Sequence, residues 1–60
     1  MSEYKRIDGS DFVPWLVNPS ADRIQAYEEA GLRLHIEGDT LYVHCFDEDD
    51  ARRIDREKEP

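Results

Sequence analysis

Leu32-Arg33-Leu34-His35-Ile36-Glu37-Gly38-Asp39-Thr40-Leu41-Tyr42-Val43-His44-Cys45-Phe46 alternates apolar and polar residues on either side of a Gly-Asp pair. A period of two belongs to strands with one face on a core. Gly38-Asp39 reads as the tip of a two-residue loop, and Gly at the first central position suits a type II′ turn. Counting outward pairs Ile36 with Leu41, Leu34 with Val43 and Leu32 with Cys45, six residues on one side of the sheet. Arg33, His35, Glu37, Thr40, Tyr42, His44 and Phe46 take the other side. A one-residue slip would scramble that separation, so the pattern specifies its own register. The stretch therefore predicts a β-hairpin over about 32–46, with Leu34, Ile36, Leu41 and Val43 among the most buried residues.

Upstream, Pro19 to Ala30 has the marks of a helix. Asn18 or Ser20 can cap it, Pro19 suits its first turn, and Gly31 suits a left-handed exit. Its apolar stripe is narrow, Ile24 and Tyr27 with flanking alanines, and should lie across the Leu/Ile/Val face of the hairpin. Downstream, Asp47 can cap a charged helix over about 48–57, acidic at its start and basic at its end, as the helix dipole favours.

The N-terminal third is less regular. Tyr4–Ile7 can form a short strand and Asp8-Gly9-Ser10-Asp11 a turn. In Phe12-Val13-Pro14-Trp15-Leu16-Val17, apolar side chains point both ways along an extended chain, as in a strand covered on both faces. Pro14 cannot donate to a ladder and argues for an edge strand or an extended wrap. The result is one small acidic α+β domain over 1–60: hairpin, amphipathic helix, short N-terminal strand or extended segment, and charged C-terminal helix.

Composition narrows the function. With 15 acidic and 8 basic residues the chain carries a formal charge of −7, which repels nucleic acid and anionic membrane and favours basic partners or solubility. The longest apolar run, Phe12 to Val17, falls far short of the ~20 residues of a membrane span. One cysteine, Cys45, cannot form a disulfide within the chain, which suits a reducing compartment: the cytoplasm, or the host cytoplasm or virion if the protein is viral.

Sites with chemistry mostly fail on spacing. His35 and His44 are read as exposed sheet-face histidines, diagonal neighbours on one face while Cys45 points to the other, so a zinc set is incomplete. Counted as a calcium loop from Asp47, the sixth position is Arg52 and the twelfth Lys58, where Gly and Glu are needed. Ser10, Ser20 and Cys45 sit in a turn, at a helix start and on the core face, without a converging base. No catalytic, cofactor-binding or metal-binding residue is assigned, and the chain is not expected to be an enzyme.

What remains is surface. One hairpin and one narrow helix cannot cover Phe12, Trp15 and Leu16 together with Tyr42 and Phe46, and these five residues are the candidate partner-binding set. Two arrangements stay open for Trp15: a core plug over Ile24 and Leu34, or an interface anchor. The expected function is a non-catalytic protein–protein interaction module, a small accessory or structural subunit of a larger assembly. It binds a protein partner or itself, with no direct nucleic-acid or membrane contact, and its size suits a phage or mobile-element product. The alternative is an acidic inhibitor or nucleic-acid mimic docking on a basic or nucleic-acid-binding host protein; against it, Arg52, Arg53 and Arg56 break up the carboxylate field.

Overall fold

The computed structural model describes residues 4–58. Its frame is two tight hairpins laid side by side. Strands β1 (Lys5–Ile7) and β2 (Ser10–Val17) form the first, β3 (Leu34–Glu37) and β4 (Thr40–His44) the second. They join through β2 and β4 into an antiparallel sheet of order β1-β2-β4-β3. Helix α1 (Ala21–Glu29) links the hairpins, and helix α2 (Glu48–Lys58) follows the second. This is the α+β domain expected from the sequence.

Turn chemistry explains both hairpins. Asp8 and Gly9 both take left-handed backbone, with φ of 52° and 79°, the requirement of a type I′ loop and the reason Asp-Gly stands there. In the second hairpin only Gly38 is left-handed, with φ of 62°, as the type II′ reading requires. Leu34 faces Val43 and Ile36 faces Leu41, in the register counted from the sequence.

The hairpin is shorter than expected. The Leu32–Cys45 pair does not form, because the chain leaves β4 after His44 and winds a single 3₁₀ turn over Cys45–Asp47. Leu34 and Ile36 are also less buried than expected, Leu34 half-buried and Ile36 51% exposed, since β3 is an edge strand. Leu41 and Val43, on the inner strand, are fully buried as expected.

The apolar run containing Pro14 is an interior strand, not an edge or a wrap. β2 pairs with β4 along most of its length, while its described ladder with β1 stops at Phe12. A bulge follows between Pro14 and Leu16, and a bulge is where a strand tolerates proline. The bulge also resolves the two-sided apolar pattern. Val13, Trp15 and Leu16 face the helices, Phe12 and Pro14 face away, and Val17 is exposed.

Helix ends are tightly specified. Ser20 caps α1 by accepting the Arg23 N–H at 3.2 Å. At the other end Leu32 N–H donates to Tyr27 C=O at 3.1 Å and Gly31 N–H to Glu28 C=O at 3.0 Å, with Gly31 at φ of 85°. That pair of bonds is the Schellman motif, and its apolar contact joins Tyr27 to Leu32 in the core. Asp47, expected to cap α2, instead accepts the Arg33 N–H at 3.0 Å and ties the 3₁₀ turn to the start of β3. The core consists of Tyr27, Leu32, Leu41, Val43 and Ala51, with Trp15, Leu16, Leu34 and Ile54 packed around it. Among the described residues, no helix is long and apolar enough to cross a membrane.

Candidate functional site

Two side-chain clusters stand out, one on each face of the sheet. On the helix side, the Asp55 carboxylate of α2 receives three donors. Trp15 Nε1–H reaches Oδ2 at 2.8 Å, Arg23 Nη1 reaches Oδ1 at 2.6 Å, and the Tyr27 hydroxyl also donates to Oδ1. β2, α1 and α2 meet at this one carboxylate. Burial, reinforced by the bond to Asp55, pushes the Tyr27 hydroxyl up to about 12. Among the described residues no buried side-chain polar atom is left without a partner, so the cluster behaves as a structural clamp between the three elements.

On the other side lies a chain of rings. Phe12 meets His44 edge-on at 5.3 Å between centroids, and His44 meets Phe46 at 5.4 Å. His35 bridges toward Phe12 and Tyr42, at 6.2 Å and 6.0 Å. Such offset and tilted contacts add to apolar burial. Lys5 of β1 pairs with Glu37 of β3 and holds its Nζ 5.9 Å from the Tyr42 ring centroid. Strands lie about 4.8 Å apart, so contact between the two edge strands requires the sheet to curl toward this face. The Lys5 ammonium, and next His35, hold the Glu37 carboxyl below its ordinary value.

His44 was expected to be an exposed sheet-face histidine and is buried. Phe12 covers it from β2, and its Nδ1 accepts the Phe46 N–H at 3.1 Å. That acceptor role puts the proton of the neutral ring on Nε2. The Arg33 guanidinium 3.4 Å from Nε2 is then a packing contact, since two donors face each other. Histidine thus shapes the 3₁₀ turn, and the turn throws Phe46 out of the sheet to 86% exposure.

No known protein family, curated protein or solved structure matches this chain.

The five candidate partner-binding residues do not form one patch. Trp15 and Leu16 lie on the helix side, half-buried against the core, with Trp15 committed to Asp55. Phe12 is buried on the opposite face, Tyr42 is half-buried beside it, and Phe46 stands free at the corner. Among the described residues no group of three or more His, Cys, Asp and Glu side chains is placed to hold a metal ion. Sequence reasoning missed the Asp55 clamp. Arg23 and Tyr27, spaced i, i+4 on one helix face, were the legible half of it; the Asp55 contact depends on how α2 docks.

Proposed function

We propose that the chain is a non-catalytic protein–protein interaction module, a small accessory subunit that docks a protein partner through its Phe46 corner. The supporting observation is the Phe46 ring, 86% exposed on a support that is itself ordered by hydrogen bonds. Exposing a phenyl ring to water costs free energy that a partner's apolar surface would recover, and a pre-ordered support lowers the entropy lost on binding. Aromatic side chains of this kind are enriched in interface centres.

The test is capture from the native host with wild-type protein and Phe46→Ala, washed at low and high salt. Phe46 touches little of the core, so the variant should keep the wild-type melting curve. Loss of the captured protein with Phe46→Ala, at both salt concentrations, supports the reading. A partner held equally by the variant removes Phe46 from the interface. A partner released by salt regardless of residue 46 favours the acidic-inhibitor reading, because long-range attraction is screened and apolar contact is not.

A further inference from the structure

The sheet has two outer edges, and they are not alike. β1 is three residues long and presents Lys5 and Arg6, the short, charged form that discourages strand addition. β3 runs Leu34–Glu37 with no proline, lysine or bulge, and carries an exposed Ile36. Among the described residues no strand lies beyond it.

The hydrogen-bond phase of β3 can be worked out from its ends. The two-residue loop makes Glu37 and Thr40 the terminal bonded pair, and at the other end His44 N–H donates to Arg33 C=O at 3.0 Å. Bonded pairs alternate along an antiparallel ladder. Arg33, His35 and Glu37 therefore turn their backbone groups toward β4, while Leu34 and Ile36 turn N–H and C=O toward the open edge.

We infer that this edge pairs with the same edge of a second copy, antiparallel, about a two-fold axis through His35. Leu34 then lies opposite the partner subunit's Ile36, and Ile36 opposite the partner subunit's Leu34. These are the residues with outward backbone groups, so each pair exchanges two N–H···O=C bonds. Both lie on the core side of the sheet, so apolar meets apolar and Ile36 gains cover. On the other side Arg33 lies opposite the partner subunit's Glu37. Arg33 makes no ion pair among the described residues, and the Glu37 side chain, already paired with Lys5 of its own chain, is 52% exposed and so open to a second cation. The strand is thus complementary to itself in backbone phase, in apolar contact and in charge. A two-residue slip one way sets Leu34 against Gly38 of the turn; the other way sets Glu37 against Gly31. A foreign strand would have to reproduce this pattern, which a second copy supplies by symmetry.

Each copy carries a charge of −7, so the measurement belongs at physiological salt, where the screening length is about 8 Å. Sedimentation should show a monomer becoming a dimer over a roughly hundredfold range of concentration. Amide exchange read by NMR should slow at Leu34 and Ile36 in step with the dimer, with His35 and Glu37 protected throughout by β4. Arg33→Glu alone should weaken the dimer roughly tenfold, by setting like charges across both symmetric pairs. Adding Glu37→Arg, with Lys5→Glu to keep the pair across the sheet, should restore it. Chemical synthesis with an N-methyl group on Ile36 removes its outward donor, leaves its side chain intact and should abolish the dimer. A chain that stays monomeric throughout, or a dimer that leaves the Leu34 and Ile36 amides unprotected, overturns the inference. A dimer indifferent to the charge exchange overturns the register.

Discussion

Trp15 donates its indole N–H to the Asp55 carboxylate at 2.8 Å, joining β2 to α2 across 40 positions of chain. α2 is otherwise strongly charged and offers the core little beyond Ala51 and Ile54. The clamp therefore decides whether α2 docks in one place.

Removing that carboxylate tests this directly. Asp55→Ala leaves the Tyr27 hydroxyl, the Trp15 indole and the Arg23 guanidinium without their acceptor, at a cost of about 2–3 kcal/mol. Trp15→Phe keeps most of the packing, loses one bond and should cost about 1 kcal/mol. Urea unfolding followed by circular dichroism measures both. Equal midpoints for wild type and Asp55→Ala would show that α2 is held by its apolar residues alone.

Tyr27 gives the fold a limit in base. Its hydroxyl is raised from 10 to about 12 in the folded state, so between those values the unfolded chain has lost a proton that the native state keeps. Stability then falls as pH rises: the contribution is whole below pH 10 and gone above about 12, a loss on the order of 2 kcal/mol. Tyr27→Phe removes this dependence. The difference between wild-type and variant unfolding free energies, measured from pH 9 upward, should shrink with pH and then level off. A constant difference would contradict the assignment.

Glu37 moves the opposite way. The Lys5 ammonium, with His35, holds its carboxyl low, so this stabilisation is present above the ordinary carboxylate range and is lost as pH falls through the lowered folded value. In Lys5→Met the Glu37 side-chain carbon, followed by NMR, should titrate closer to its ordinary value. An unchanged titration would mean that the two edge strands do not meet in solution.

Position within the hairpin should sort its mutations. Leu41 is fully buried and Ile36 is 51% exposed, although they face each other across the ladder. Leu41→Ala should cost about 3 kcal/mol, a large share of a small domain's stability. Ile36→Ala should change the monomer's stability by about 0.5 kcal/mol or less. Thermal unfolding of dilute protein separates them, and comparable losses would place Ile36 under a cover that this fold does not give it.

How much of this was legible follows from the range of the forces involved. The second hairpin could be read because alternation and Gly38 act locally, over neighbouring residues. Ser20 and Gly31 announced the ends of α1 for the same reason. Pro14 misled, because its tolerance depends on a bulge at Trp15 that no local pattern announces. Asp47 looked like a helix cap because acids suit that place, yet the Arg33 amide competes for the same carboxylate from 14 positions away. His44 looked solvent-facing by alternation alone; the sheet's curl and Phe12 bury it. Asp55 carried no signal at all beyond its charge.

The clamp also makes the chain its own spectroscopic gauge. Its single tryptophan is bonded to the carboxylate that anchors α2, so the environment of the indole changes when that helix lifts. Emission from Trp15 should therefore report helix release, while far-ultraviolet dichroism reports the sheet and both helices together. Coincidence of the two signals on heating would mark a domain that opens as a unit. Earlier movement of the fluorescence would reveal a state with the hairpins still paired and α2 already free.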